Sequence, residues 1–458
     1  MKRILTFVTI VFASALTVSA QVRTSYFVEN TYFSNQFNPA FAPDYGYIKL
    51  PFIGGFNFNL DGNLSINDFI VRTPDGRGLT TILSGSVSAE EALKGFSKTA
   101  NSFNFNNNIS LLGFGGYAAN RKNFWSVDIS LHTEAALDIP YDFLKFIKTV
   151  SDGENISDFS KFQFMAQSYA DIGFNYSLPV TDRLYVGARA KVLVGIVHTN
   201  LRMNSFKLKT SEDEWSAEMQ AEMDLNMAGL TARANQSFDD VLDNFNVDDI
   251  KGPSGLGLAI DLGASYKVLD NLQISAAVND LGFVSWKSGI RFATNDASIS
   301  FKGVDMIVDA GGVSSTTPDI SMDELGLSVV GSGRGKATSL RATINAGIDY
   351  EVKPNLLGIG LLYHGRMGLY APSHNITASL DFHPARWFTL SPSYTFNNNR
   401  GGAIGWTLNI APKGLNLFLA SDFLMSKLAK DVYVPYQQDR MTFTFGLAIT
   451  CGRRGERR

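Results

Sequence analysis

Nine charged side chains fall on the polar side of extended, alternating stretches: Asp128, Asp171, Arg189, Lys191, Asp261, Lys267, Asp349, Glu351 and Asp381. If those stretches close into a ring, all nine face its lumen. A pore selective for one kind of ion would carry a bias toward one sign of charge. Both signs here predict cross-lumen ion pairs and a narrow or plugged interior, with a charged permeation path as the alternative. Catalytic groupings are absent. His132, His198, His364, His374 and His383 stand at no metal-ligand spacing, and there is no G-x-S-x-G nucleophile elbow. The stretch GSGRGKA at 331–337 lacks a glycine at phosphate-loop spacing, and Ala337 stands where Ser or Thr would hold magnesium. The expectation is a protein that is not an enzyme and holds no cofactor or metal.

The elements that must position these charges are strands. In 255–281, Leu256, Leu258, Ile260, Leu262, Ala264, Tyr266 and Val268 alternate with Gly257, Asp261, Gly263, Ser265 and Lys267. After a turn at Asp270, Leu272, Ile274, Ala276 and Val278 alternate with Gln273, Ser275 and Asn279. Successive strand side chains point to opposite faces, so this is a hairpin with one apolar and one polar face. The device recurs at 107–131, 170–194, 344–363, 376–396, 404–419 and 441–450, joined by tight turns such as His383-Pro384-Ala385. Longer polar segments lie between, at 61–105, 133–165, 199–253, 283–338 and 426–439. With a strand near 47–59, the tally is about fourteen, and short turns on one side with long loops on the other fit an outer-membrane barrel. Residues 215–227 and 297–308 also alternate and read as hairpin extensions above the membrane, or else as two more spanning strands. Helical periodicity at 236–250, with Phe238, Val241, Leu242 and Phe245 on one face, predicts a loop helix packing on the barrel mouth. A smaller helix is expected around 88–98.

The composition agrees with that reading. The formal net charge of −3 is too mild to suggest nucleic-acid binding. Cys451 is the single cysteine, so no internal disulfide forms. Mean hydropathy near zero suits a barrel, whose strands are half polar. Residues 1–20 carry Lys2 and Arg3, an apolar core and small residues Val18 and Ala20, the pattern of a cleaved secretion signal. Trp125, Trp286, Trp387 and Trp406 stand near strand ends, where interfacial girdles of a barrel sit. The fold class expected is all-β: an antiparallel transmembrane β-barrel of about 14 strands, with an N-terminal hatch and short loop helices. Its divisions are a signal at 1–20, a hatch at 21–45, a barrel at 46–450 and a basic periplasmic tail at 451–458. The site is the outer membrane of a Gram-negative bacterium, with its lipid as partner.

Residues 21–45 are rich in aromatics and asparagine, and Pro39 and Pro43 exclude them from a ladder. Such a segment can fold back into the lumen. Asn38-Pro39-Ala40 resembles the Asn-Pro-Ala box in the hatch of the long-chain fatty-acid outer-membrane transporter (FadL-like) family. The strand 255–269 and the following DN…DLG segment are similar to that family too. The overall cast looks most like barrel families of Bacteroidetes-type bacteria without an assigned role. The resemblance implies a plugged barrel binding or passively transporting a hydrophobic small molecule. The alternative is a scaffold or anchor for secretion or surface proteins, which would bind the long extracellular loops. One departure is the C-terminus, where the strand ends at Thr450 and a basic tail follows instead of a terminal aromatic residue.

Overall fold

A computed structural model describes residues 23–453 except 29, 65–67, 74–77, 83, 99–100, 150–154, 211–214, 288, 295–296, 302–305, 310–311, 316–325, 333–334, 368–371, 398–400 and 423–440. The expected signal at 1–20, the whole loop at 426–439 and Arg454, Arg457 and Arg458 of the tail lie outside the described residues.

Strands β1 (Tyr45–Lys49) and β2 (Phe56–Gly62) share one wall position. They are followed by β3 (Asn101–Tyr117), β4 (Phe124–Ile139), β5 (Gln163–Pro179) and β6 (Leu184–Thr210). Strand β7 (Trp215–Met227) precedes β8 (Gly255–Leu269), β9 (Leu272–Trp286), β10 (Ile290–Thr294) and β11 (Leu327–Ser332). The wall resumes with β12 (Thr343–Lys353), β13 (Leu357–Arg366), β14 (Ser373–Ala385) and β15 (Phe388–Asn397). It ends with β16 (Gly401–Ile410), β17 (Asn416–Ser421) and β18 (Met441–Arg453). Each neighbouring pair is antiparallel, and β1 and β2 both lie between β18 and β3. The ring therefore closes at 14 positions and leaves no edge.

The alternation sets the two faces. Leu256, Leu258, Ile260 and Leu262 on β8 are 42–60% exposed on the outside, while Asp261 between them is 1% exposed. Ile344 and Ile348 face out on β12 and Asn345 faces in, fully buried. An exposed apolar belt around a ring with no free backbone edge is the surface that hydrocarbon accepts and water does not.

Strand β6 spans 27 residues against the 15 of β8. Its lower half pairs with β8 and its upper half with β7. Strand β7 is thus an extension above β8, as the first of the two readings expected, and β10 and β11 continue that upper sheet.

Several expectations need correcting. The turn between β14 and β15 is at Arg386 and Trp387, because β14 carries on through His383, Pro384 and Ala385 past a bulge. Strand β18 continues through Arg453, paired with Tyr45, so the tail starts later than 451. The polar segment 133–165 holds a helix, Tyr141–Thr149, with Leu144 buried against Leu64, Ile82 and Phe96. The loop helix is short, Phe238–Asp243, and Phe245 has left its buried face. The helix near 88–98 spans Ala89–Leu93, capped by Ser88. Trp286 points inward, 1% exposed, and not into a headgroup girdle.

Candidate functional site

Residues 23–28 and 30–44 lie inside the ring. Their start is held by one carboxylate. Asp422, just past β17, accepts the backbone N–H of Arg23 at 2.7 Å and of Thr24 at 3.0 Å, and the Thr24 hydroxyl at 2.7 Å. The chain then runs toward the short-turn end, where Asn409 Nδ2 donates to Asn30 O. It returns through the single-turn helix Ser34–Phe37. There Asn279 and Asn345 donate to the Phe37 carbonyl at 2.9 and 3.0 Å. Tyr26, Phe27, Phe37 and Phe41 pack edge to face on one another, so the segment carries a small apolar centre of its own.

Asn38, Pro39 and Ala40 are the tightest contact with the wall. Asn38 is fully buried; its Nδ2 lies 3.2 Å from the carbonyl of Ala264 and 3.3 Å from that of Ala276, and its Oδ1 accepts the Ala40 N–H at 3.0 Å. Asn175 and Ser177 on β5 donate to the carbonyls of Pro39 and Ala40. The tripeptide fits because two paired wall residues have no side chain. A Cβ on Gly263 would lie 2.0 Å from Asn38 Oδ1, and one on Gly187 would lie 2.1 Å from Pro39 O. Glycine at these positions leaves a notch through which backbone approaches backbone.

The sequence-predicted charges divide into two sets. Asp128, Asp171, Arg189, Lys191 and Asp261 form a buried belt on one side of the lumen. Asp128 meets Lys49 at 2.7 Å and Arg189 at 3.3 Å, and accepts the Tyr47 hydroxyl. Lys191 sits 2.7 Å from both Asp261 and Asp280. Asp171 meets His132 at 2.9 Å. The belt's pairs join near-neighbour strands on one side of the ring, where cross-lumen pairs had been expected. The N-terminal segment touches the belt through Asn35, whose Nδ2 donates to Tyr47 Oη and Ser126 Oγ. Lys267, Asp349, Glu351 and Asp381 lie nearer the short turns. Lys267 and Asp349 line a cavity of about 160 Å³ under the hatch, with Tyr26, Phe41 and Tyr185. Asp349, Glu351 and Asp381 line a smaller one beside Phe27. Ser379 and Ser391 donate to Asp381.

Sequence reasoning missed Lys49, Glu134, Asp280, Arg366 and Asp422. Lys49 alternates with the outward Ile48, a signal that was present in YGYIK. On the other side of the hatch, Arg366 pairs with Glu134 at 2.6 Å, and both line a polar cup with Asn57, Asn59, Asn106, Asn108 and His364. Above the cup, Tyr169, Leu193, Val284, Trp286 and Leu340 form an apolar patch on the inner wall, where the His198 ring stacks on Trp286. Among the described residues no group of three or more His, Cys, Asp or Glu is placed to hold a metal.

Residues 39–422 match the family described as "Family of unknown function (DUF5723)". No curated protein matches the sequence. Similar solved structures include a Pseudomonas aeruginosa FadL homologue, 11% identical, TM-score 0.43, with 95% of this chain and 96% of that one covered. The Ralstonia pickettii toluene transporter TbuX is 10% identical, TM-score 0.40, covering 91% of each chain. The Pseudomonas putida toluene transporter TodX is 9% identical, TM-score 0.39, covering 95% and 98%.

Proposed function

The chain belongs to DUF5723, a family of unknown function, and we propose that it is an outer-membrane barrel, closed by residues 23–44, that binds and passively passes a small hydrophobic molecule. The observation that supports the hatch reading is the fit of Asn38-Pro39-Ala40 into the notch at Gly187 and Gly263. A covalently continuous segment held to the wall by side-chain amides is a closure that can loosen without unfolding the ring. The cargo reading rests on the inner wall. A molecule arriving from the loop side would have to open the closed cluster of Tyr169, Leu193, Trp286 and Leu340, none more than 7% exposed, before it reached the cup of asparagines with Arg366 and Glu134. That order suits a cargo with an apolar body and one polar end.

The test is flux through the purified chain in liposomes. Deleting residues 23–44 should raise permeability to small apolar and amphipathic probes. Equal flux with and without the segment would end the transport reading. A second reading, an anchor for protein partners, draws on the upper sheet of β6, β7, β10 and β11, which rises beyond the ring. Stoichiometric co-purification of a protein that requires this sheet would favour it.

A further inference from the structure

Residues 228–254 leave β7 and rejoin β8 at the same wall position. Ala228 N donates to Ser254 Oγ at 2.7 Å, and Ser254 N to Gly195 O at 2.9 Å. The insertion therefore springs from the upper rim of the apolar belt, where Ile196 and Leu256 face outward at 44% and 47% exposure.

Its side of the wall follows from alternation on β7. Asn226 accepts or donates at His198, which stacks on the lumen's Trp286, so Asn226 faces in. Met223 and Leu225 therefore face out. Phe238 and Val241 of the loop helix bury themselves against Met223, Leu225, Phe292 and Val329. The insertion thus packs on the outside of the upper sheet. It does not pack on the barrel mouth, as helical periodicity alone had suggested.

Beyond the helix the backbone tightens into a fixed turn. Asn246 N donates to Gly229 O, Asp249 N to Asn246 O and Ile250 N to Val247 O, at 3.0–3.2 Å. Asn246 Oδ1 caps the turn by accepting Asp248 N. This turn presents Phe245, Val247 and Ile250 at 39%, 67% and 46% exposure, on the insertion whose end at Ser254 runs into Leu256 and Leu258 of the belt. We propose that the 245–250 turn is an interfacial anchor, seated in the outer leaflet that surrounds the barrel. The insertion that carries its apolar side chains is rooted at the rim of the lipid belt, and lipid is the partner already in contact with that belt. Asp248 and Asp249 share the turn, which keeps it at headgroup depth. Lys251 and Lys287 are exposed at the same level, within reach of lipid phosphates.

The inference rests on the membrane reading of the belt and not on transport. It is tested with spin labels in a Cys451→Ser background, in vesicles of phosphatidylethanolamine and phosphatidylglycerol. Cys451 is exposed, and so are Val247, Leu258 and Asp182, the three labelling sites. Val247→Cys should collide with oxygen several-fold more than with a water-soluble nickel chelate, as Leu258→Cys in the belt does. Asp182→Cys, in a short turn, should show the reverse. A Val247→Cys label matching Asp182→Cys while Leu258→Cys reads lipid overturns the anchor alone. A Leu258→Cys label reading water overturns the membrane assignment and the anchor with it.

Discussion

Asn38 Oδ1 occupies the space that a side chain on Gly263 would need, 2.0 Å from the position of its Cβ. The N-terminal segment and the wall therefore meet at close range here, as they do where Pro39 O lies against Gly187. Gly263→Val forces one of them to move, and the hatch moves more readily, because the wall is held by strand ladders on both sides. Overpacking of this kind costs about 1–3 kcal/mol. The expected outcome is faster solute flux in liposomes with little change in barrel unfolding. Gly116, where a Cβ meets open space, supplies the control: Gly116→Ala should leave both unchanged.

The same reasoning predicts a separate role for Asp422. It satisfies two backbone N–H groups and one hydroxyl at the start of the hatch. A hydrogen bond to a charged group contributes about 1.5–3 kcal/mol. Asp422→Ala should release the first residues while Asn38 stays seated, because the two anchors lie on opposite walls. Hydrogen exchange should speed up at Arg23 and Thr24 and remain slow at Ala40. Uniform loss of protection over the whole segment would show that the hatch behaves as one cooperative unit.

The ring and its two faces were legible in alternation, and the misreadings have one physical source. Trp286 was expected in the interfacial girdle because it stands near a strand end. Asn279 and Asp280 both turn inward, and Asp280 adopts φ of 60°, so the register shifts by one and every later residue of β9 changes face. A bulge of this kind leaves no mark in hydrophobic period. The extra residue has a use, since it delivers Asp280 to Lys191. The bulge near Phe382 likewise moved a turn that Pro384 had suggested. Asn38-Pro39-Ala40 was readable as a motif, but its receptor was not. Gly187 and Gly263 are 76 residues apart in sequence and become a notch only when β6 and β8 pair.

Within the charge belt, Asp128 is the member with most to lose. It is 3% exposed and faces two cations, Lys49 and Arg189, plus the Tyr47 hydroxyl. Removing one partner of a buried pair costs about 3–5 kcal/mol, because the other charge is left without compensation. Asp128→Asn should lower the urea midpoint of barrel unfolding clearly. Asp381→Asn should do so far less, since Asp381 is held by two serine hydroxyls and strands no cation. Equal effects from the two would mean that the belt's pairing contributes nothing beyond hydrogen bonding.

Trp286 connects the fold to the cargo reading. Its ring lies over Gly195 and Gly255, stacks on His198 and donates from Nε1 to Thr338 Oγ1 at 2.8 Å. A position this packed loses about 3–5 kcal/mol on truncation to alanine, so stability alone cannot separate the roles. Trp286→Phe keeps most of the apolar surface and drops only the N–H donor. If the inner patch receives an apolar body, Trp286→Phe should retain binding of an apolar-tailed probe. Leu193→Ser and Leu340→Ser should weaken it by about tenfold each, which corresponds to about 1.4 kcal/mol. Trp387, exposed in the β14–β15 turn, should tolerate alanine without effect on binding. Unchanged affinity in both serine variants would move the cargo away from this patch, to the polar cup or to the cavity lined by Lys267 and Asp349.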